Sequence, residues 1–432
     1  MKNKSVRLRL IVMSFLQFAV WGAYLTSMGN YLAKAGLADH IGWFYSMQGI
    51  VSVFMPALIG IIADKFIPAQ KVLSICHGIA GLAMLAAGYY CISADSGIEF
   101  GPLFSLYGLS VAFYMPTIAL SNSVAYNILE SNGFDTVKDF PPIRVFGTVG
   151  FICSMLFVNF MRDSEGVQFQ STYWQFVTSG VLGLLLMFYA LTLQNCPVKT
   201  SKEHKGLADA LGLKAFTLFR DRQMAIFFIF SMLLGVALQI TNGYANPFIT
   251  SFKAMPEYAG TFGAENANAL ISISQVSETL GILLIPVCLR KFGIKKVMLI
   301  AMLAWFFRFG LFGVGNPGPG VWMFILSMLV YGVAFDFFNI SGSLYVNEKT
   351  TEDIRSSAQG LFMLMTNGVG ASIGMIGAQM VVNHFTYAAE VEGVFYTVGN
   401  WSAAWYIFAG YSLLVAILFA IFFKEPGKQA ER

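Results

Sequence analysis

Residues 60–72, GIIADKFIPAQKV, form a short polar connection between two apolar runs. Residues 287–298, VCLRKFGIKKVM, form a similar connection in the second half of the chain. Each connection places Lys-Phe directly after one apolar run and Lys-Val at the start of the next. Parallel six-helix repeats that enclose a binding site are one way in which large membrane proteins are built. These two stretches therefore predict a chain made of two related halves.

The composition agrees with a membrane protein. Of the 432 residues, 56% are hydrophobic and only 12% are charged, about half the charged fraction of a soluble domain. The 42 Gly and 41 Phe residues suit helices that face lipid and also pack closely on one another. The five cysteines are scattered along the chain, which predicts neither a disulfide framework nor a metal site.

Apolar runs of roughly 18 to 28 residues can each cross the hydrocarbon core as a helix. We count twelve such spans and number them in chain order. Their predicted ranges are 9–33, 41–63, 71–92, 100–128, 141–161, 172–194, 223–250, 267–289, 297–315, 319–346, 356–383 and 400–423. The basic start, MKNKSVRLRL, leads into an apolar run too long for a signal peptide, so we expect an uncleaved first span.

Basic residues near the ends of spans remain on the cytoplasmic side. With the N-terminus inside, the inner segments hold 22 Lys and Arg residues and the outer loops hold only Lys34, Arg162 and Lys253. Arg144 and Arg308 lie within spans. The charge pattern predicts that both termini are cytoplasmic, and a bacterial cytoplasmic membrane is the expected location.

The longest polar segment divides the spans into six and six. We expect an N-terminal half at residues 1–195, a cytoplasmic linker at 196–222 and a C-terminal half at 223–432. Residues 207–219 of the linker place apolar residues at helical spacing, which favours an amphipathic helix on the membrane surface. A simple tether between the halves is equally compatible with this segment.

Ionisable residues within spans carry most of the chemical information, because each costs about 2.5 to 3.5 kcal/mol on insertion scales. Glu278 lies near the middle of span eight, with Gln275 on the same helical face. Asp336 lies in span ten on a face with Gly332, Asn339 and Ser343. We interpret both acids as lining a wet cavity.

Other side chains at helical spacing extend this cavity. In span ten, Tyr331 and Phe335 lie four residues apart and could stack on a planar ring or simply pack in the core. In span seven, Gln239, Asn242 and Asn246 place three amides on one face, although bonds between helices could use one or two of them.

The two intramembrane arginines lead to different expectations. Arg144 begins span five with Thr148 and Phe151 on its face, where it could bind a ligand or extend to the membrane surface. Arg308 lies deeper in span nine among aromatic residues, and we expect it to pair with an acid for structural reasons.

These residues suit a neutral ligand that has a ring and hydroxyl groups, since one Arg is too few for a phosphorylated ligand. The two acids also permit proton coupling. No metal-ligand cluster, phosphate loop or nucleophile with a base occurs in the sequence. A transporter is therefore expected, without a cofactor and without an enzymatic activity.

At these residues the chain closely resembles the nucleoside:proton symporter family of the major facilitator superfamily. Residues 60–65 fit the Gly-x-x-x-Asp-Lys turn of the superfamily. Longer matches include DFPPIRVFGTVGF (139–151), ISISQVSETL (271–280) and YGVAFDFFNISGS (331–343). The resemblance implies an all-α polytopic membrane protein with twelve transmembrane helices in two six-helix halves.

The resemblance implies proton-coupled import of nucleosides by alternating access. It implies that the substrate is bound by ten residues, namely Arg144, Thr148, Phe151, Gln239, Asn242, Gln275, Glu278, Tyr331, Phe335 and Asp336. Within this set, Glu278 and Gln275 would bind ribose or base. Arg144 and Asp336 would form a pair tied to coupling and gating, with Glu278 as a further proton-coupling residue.

One position departs from the family pattern. Family members carry an acid two residues before the Gln of span seven, whereas this chain has Ala237. The outer end of span seven, GYANPF (243–248), also differs, so the preferred base stays open. A symporter of xanthosine, another modified nucleoside or a sugar is an alternative, as is a nucleoside receptor that does not transport. We expect a monomer in the lipid bilayer, with nucleoside and protons as partners and no nucleic acid.

Overall fold

The computed structural model describes residues 2–94, 97–198 and 213–424. It is almost entirely helical, and its long apolar helices confirm the polytopic fold predicted from the sequence. The helices of the first half are Lys2–Gly22, Met28–Lys34, Ile41–Lys65, Ala69–Ser93, Phe100–Ser131, Thr136–Phe160 and Trp174–Leu191. Short 3₁₀ turns lie at Ala38–His40 and Phe169–Ser171.

The second half repeats this arrangement with more interruptions. Its helices are Arg222–Leu238, Ile240–Ser251, Phe262–Glu265, Ala267–Val314, Val321–Lys349, Glu352–Met363, Ala371–Phe385 and Trp401–Phe422. A π-helical segment, Leu364–Gly370, joins the two parts of span eleven. Short 3₁₀ helices lie at Leu213–Arg220 and Phe252–Ala254.

Eleven helices of the described residues are long and apolar enough to cross a membrane, and one of them contains two spans. Ala267–Val314 has 48 residues, which is about twice the length needed for one crossing. Its helical geometry is broken at Gly293, where φ is +77°, a conformation that favours glycine. Spans eight and nine therefore meet at Gly293, and the count of twelve spans is confirmed.

Three spans are interrupted within the membrane region. Span one breaks into turns between Gly22 and Met28, and span seven breaks at Gln239. Span eleven passes through the π-helical segment Leu364–Gly370. Broken helices are common where a membrane protein builds a polar site, because backbone groups there must find other partners. The breaks in spans one and seven occur at corresponding places in the two halves.

A β-hairpin follows span eleven and is an exception to the all-α prediction. Strands Thr386–Val391 and Val394–Gly399 pair antiparallel, with Ala388 opposite Thr397. The connecting residues Glu392 and Gly393 both have positive φ, which is the geometry of a tight hairpin turn. The hairpin packs on Met28–Lys34 of the first half and on Ile240–Ser251 of the second half.

The two halves close on each other at one end of the molecule, opposite the start of helix Lys2–Gly22 and the end of helix Trp401–Phe422. The Asn159 side chain donates to Asn266 there over 2.9 Å and accepts from the backbone N–H of Ala269 over 3.3 Å. Thr26 donates to Asn268 over 2.9 Å, and Ser46 donates to the carbonyl of Ser372 over 2.9 Å. Within the described ranges, every hydrogen bond between the halves lies toward this end, which we call the sealed end.

The segment between the halves is only partly described. Residues 213–220 form a 3₁₀ helix that packs on span seven and on the first part of span eleven. The amphipathic helix predicted at 207–219 therefore falls partly outside the described residues, since these resume at 213. The described part is a 3₁₀ helix and not the α-helix that the pattern favours.

Candidate substrate and proton site

Three charged side chains from both halves converge between the sealed end and the opposite end of the molecule. Arg144 comes from span five, Glu278 from span eight and Asp336 from span ten. Their charges lie close enough to interact with one another. Spans five and eight pack directly together, so this meeting of side chains crosses the boundary between the halves. The sequence had predicted all three residues as members of one site.

Asp336 is the most enclosed of the three. Its side chain is 7% exposed, and its Oδ2 atom has no hydrogen-bond partner among the described residues. An unpaired carboxylate oxygen in a buried place is costly. The atom is therefore available to a proton or to a donor group of a ligand.

Arg144 is held by an aromatic ring and not by a direct ion pair. Its guanidinium carbon lies 3.8 Å from the centroid of the Phe18 ring in span one. Gly147 makes room for this arrangement, because a Cβ atom there would lie 2.8 Å from Nη1 of Arg144 and 2.6 Å from the Phe18 ring. The implied pairing of Arg144 with Asp336 is thus an interaction at longer range in this conformation.

Spans eight and ten touch at the level of Glu278. A Cβ atom at Gly332 would lie 2.2 Å from the carbonyl oxygen of Ser277 and 2.9 Å from the backbone nitrogen of Glu278. The Ser277 hydroxyl also donates to the carbonyl of Leu329. Only glycine at 332 permits this approach, and it places Glu278 beside the helix that carries Asp336. Gly332, which the sequence places on the polar face of span ten, is thus a residue of helix packing.

The aromatic pair of span ten is stacked. The rings of Tyr331 and Phe335 are 5.6 Å apart and inclined by 22°. Phe335 is half-buried, whereas Tyr331 is only 5% exposed and contacts Trp305 edge to face. Phe335 can therefore offer a ring face to a ligand, while Tyr331 supports it from behind.

The prediction that Arg308 pairs with an acid is wrong. In the described part of the chain Arg308 forms no ion pair, and it donates to the Ser327 carbonyl over 2.8 Å. It also reaches the hydroxyls of Ser274 and Thr241, and its guanidinium carbon lies 4.5 Å from the centroid of the Tyr331 ring. Hydroxyls from two other spans supply the partners, which the pattern of span nine alone does not show.

The three amides of span seven divide into two groups. Asn242 donates to the side chain of Gln239 over 2.8 Å, directly at the break in the helix, and both residues are half-buried. Asn246 is instead fully buried and donates to Asn268 over 2.9 Å at the sealed end. Asn246 lies one turn after Asn242 in the same helix, but its amide is already used at the sealed end, so only Gln239 and Asn242 are left to face a ligand.

The polar face of span ten is also used in part for structure. Asn339 donates to the carbonyl of Phe335 in its own helix, and Ser343 donates to Gln359 of span eleven over 3.0 Å. Asp336 Oδ2 and Asn339 Oδ1 each lack a hydrogen-bond partner within the described ranges, and of the two only Asp336 can carry a charge.

The remaining predicted residues lie on the walls of the same region. Thr148 and Gln275 are half-buried, and Phe151 is 6% exposed. Trp21 packs edge to face on Phe151, with ring centroids 6.2 Å apart. Sequence reasoning missed Trp21 and Phe18, although both belong to the motif SFLQFAVWG (14–22) just before the break in span one.

Ala237 lies two residues before Gln239 in span seven and is fully buried. An acidic side chain is therefore absent from a buried position of span seven beside Gln239. The intramembrane acids placed near Arg144 are Glu278 and Asp336.

Twelve spans in two halves, with a charged site between the halves, define a transporter of the major facilitator type. The xylose transporter XylE from E. coli, solved in an inward-open conformation, has the same fold with a TM-score of 0.66 at 15% identity, and the match covers 98% of this chain and 97% of that one.

The chain belongs to the nucleoside H⁺ symporter family, which it matches over residues 4–428. It is 45% identical to the xanthosine permease of Escherichia coli K12, over 99% of both chains. It is 42% identical to the nucleoside permease NupG of the same organism, over 97% of this chain and 96% of NupG. The crystal structure of NupG superposes with a TM-score of 0.86 and covers 98% of this chain and all of that one. The chain is a multi-pass transporter of the inner membrane and not an enzyme.

Proposed function

We propose that this chain binds a nucleoside between residues 1–195 and 223–432 and moves it inward together with protons, as a single chain. The observation that carries the proposal is the convergence of Arg144, Glu278 and Asp336 across the boundary between these two halves. Family membership supports nucleoside and proton as the transported pair. The segment 196–222 then serves as the cytoplasmic connection between the halves.

The chemistry of the walls fits a nucleoside. A half-buried ring at Phe335, backed by Tyr331, can stack on a base. The amides of Gln239, Asn242 and Gln275 can bind ribose hydroxyls or the edge of the base. A single Arg with two acids disfavours a phosphorylated ligand, because the acids repel phosphate. Glu278 beside Gln275 is the pair that we assign to the ribose or base.

The two acids supply the coupling. A proton on Glu278 or Asp336 removes a charge from a site that contains only one Arg, and Arg144 can then change its partner. Substrate that binds the same groups is therefore linked to protonation. We assign proton coupling to Arg144, Glu278 and Asp336, with Arg144 resting on Phe18 in the present conformation.

The conformation fits the inward-facing stage of alternating access. The halves are hydrogen-bonded at the sealed end, and we assign that end to the outside because the described connections at the opposite end, such as 64–71 and 290–296, are rich in Lys and Arg. Both termini are then cytoplasmic.

The preferred base is a separate question. The relative at 45% identity is named a xanthosine permease and the relative at 42% a nucleoside permease, so identity alone does not separate them. The preferred base is determined by measuring how well a panel of nucleosides, xanthosine, free bases and sugars competes with labelled uridine for binding. Competition by sugars alone would contradict the assignment of a nucleoside site.

Equilibrium binding of labelled uridine and adenosine to purified protein tests the site. Glu278→Gln should abolish binding at the central, tighter site while the protein still elutes as a folded species. The matched control is Glu165→Gln, which changes an exposed acid in an outer loop. Normal binding by Glu278→Gln would remove Glu278 from the site. Binding by the wild type without any uptake into liposomes would instead support a receptor.

A further inference from the structure

A cavity of about 270 Å³ lies at the sealed end, away from the site formed by Arg144, Glu278 and Asp336. Its wall comes from both halves, with Ala38 and Asp39 from the first half and Tyr244, Asn383 and the hairpin from the second. The volume lies just below the range of about 300 to 1,000 Å³ that is usual for sites of small organic ligands. A solute smaller than a typical drug is therefore of suitable size.

The hairpin leaves this space open because small side chains face it. Ala388 and Thr397 are opposite each other in the strand pairing, and both line the cavity. Larger residues at these positions would fill the space.

Two side chains of the wall carry hydroxyls without partners. Thr397 is 6% exposed and Tyr244 is fully buried. Neither the Thr397 hydroxyl nor the Tyr244 hydroxyl has a hydrogen-bond partner among the described residues. Buried hydroxyls normally have such partners. A polar ligand with hydroxyl or amide groups would supply them after a small adjustment of the wall.

The charge at the cavity selects a neutral ligand. Asp39 is exposed at the wall, and no Lys, Arg or His of the described chain lines the cavity. A carboxylate accepts hydrogen bonds from vicinal hydroxyls and repels phosphate. The ring of Tyr387, which is 66% exposed, and the indole of Trp401 provide aromatic surface at the same wall. A nucleoside has this combination of ring and hydroxyls, and a nucleotide does not fit the charge.

The cavity depends on closure of the two halves. The Gln379 side chain accepts from the backbone N–H of Gly42 over 2.6 Å and donates to the Ala38 carbonyl over 3.0 Å, so it bridges span eleven to the start of span two. Asn383 of the cavity wall accepts from the same Gln379 amide over 2.6 Å. When the sealed end opens, Ala38 and Asp39 separate from the hairpin and the cavity is lost.

We propose that this cavity is a second nucleoside site, which holds the external end closed and slows import when external nucleoside is abundant. The proposal rests on the nucleoside transport assigned above. A ligand that binds only one of two conformations shifts the equilibrium toward that conformation. Occupancy of the cavity therefore delays the return to the outward-facing state, which each import cycle requires.

The test combines binding and transport with the full chain. Labelled uridine is bound at equilibrium to the wild type, Glu278→Gln, Ala388→Leu and the double variant. Ala388→Leu fills the cavity, and Ala388→Ser is the matched control because it leaves the volume almost unchanged. We expect a tight and a weak site in the wild type, only the weak site in Glu278→Gln, and only the tight site in Ala388→Leu. Filling the cavity should weaken the weak site by about tenfold or more, since steric exclusion opposes binding directly.

Initial rates of uridine influx into liposomes complete the test. The wild type and Ala388→Ser should slow at high external uridine, and Ala388→Leu should not. A single site in the wild type, or slowing that persists in Ala388→Leu, would overturn the second site without affecting the central one. Loss of both sites in Ala388→Leu with normal folding would also overturn it. Retention of both sites in Glu278→Gln would instead contradict the central site and leave the second site standing.

Discussion

The guanidinium carbon of Arg144 lies 3.8 Å from the centroid of the Phe18 ring, and Gly147 provides the space for this contact. The positive charge that faces Glu278 and Asp336 is thus anchored by span one of the same half and not by either acid. A cation held by a ring can move to a carboxylate more easily than a cation in a direct ion pair. This arrangement gives the site one mobile charge between two acids.

Replacement of Phe18 tests that anchor. A cation–π contact in a desolvated place contributes about 2 kcal/mol, and its loss in Phe18→Leu should weaken nucleoside binding by roughly thirtyfold. Phe18→Tyr retains the ring and should behave like the wild type. Uridine binding at equilibrium measures the effect. Equal affinity in Phe18→Leu and Phe18→Tyr would show that the ring does not hold Arg144 in the binding-competent state.

Arg308 should act as a structural residue. It is 1% exposed and its contacts are the Ser327 carbonyl, two hydroxyls and the Tyr331 ring. Arg308→Met leaves these acceptors without a donor and should destabilise the protein by about 2 kcal/mol or more. Thermal unfolding in detergent measures this change, and the fraction that remains folded should still bind uridine. Unchanged thermal stability with lost binding would move Arg308 into the site.

The sealed end should depend on neutral amides. Asn246 donates to Asn268 over 2.9 Å, and Asn268 accepts from Thr26 of the other half over 2.9 Å. Asn246 also donates to Gln170 of the first half over 3.4 Å. A bond of this kind contributes about 1 kcal/mol net and is lost on opening, so Asn246→Ala should shift the closed-to-open ratio about fivefold toward open.

Spin labels at the exposed positions Arg162 and Glu257, one in each half, report this shift as a longer distance. Asn132→Ala breaks a bond to Gln194 within the first half at the opposite end and serves as the control. The same distance distribution in Asn246→Ala and the wild type would contradict a role of the amides in closure.

The sealed end should also respond to alkaline pH through Lys34, which follows the predicted span 9–33 and ends the helix Met28–Lys34. Burial and the nearby Lys253 ammonium lower the pKa of Lys34 to about 8, against the attraction of Glu265. If opening restores the ordinary pKa of about 10.4, the open state binds more protons between these values. Closure should therefore strengthen as pH rises above 8, whereas below pH 8 both states are protonated and the cost of burying the charge is fully present.

The same pair of spin labels measures this response. The closed fraction should rise between pH 8 and pH 10 in the wild type and should stay level in Lys34→Met. A rise of equal size in Lys34→Met would assign the response to another group.

The membrane fold could be predicted from the sequence because hydropathy and loop charge act over whole spans. Gly293, in the connection KFGIKK, turns the chain between spans eight and nine as the repeat with residues 60–72 predicted. The hairpin at Thr386–Gly399 was not predicted, because its alternation is short and lies among polar residues. The breaks in spans one and seven also escaped prediction, since the sequences around Gly22 and Gln239 remain apolar on both sides.

The site could be predicted only in part. The sequence reveals Glu278, Asp336 and Arg144 because a charged side chain within hydrocarbon is costly and therefore points to a site. This argument considers one helix at a time. It cannot show which residues of other helices contact these three side chains. Asn246 shares the periodicity of the ligand-facing amides, yet it is fully buried and donates to Asn268 of span eight, a partner that the pattern of span seven does not show. Phe18 carries no charge, so nothing in span one marked it as the support of Arg144.

Uptake of labelled uridine into liposomes that are alkaline and negative inside tests the central claim most directly. Each proton that enters down 100 mV contributes about 2.3 kcal/mol, which is enough to accumulate substrate well above its external concentration. We predict accumulation by the wild type that collapses when a protonophore is added, and no accumulation by Glu278→Gln. Uptake that is the same with and without the protonophore would contradict proton coupling.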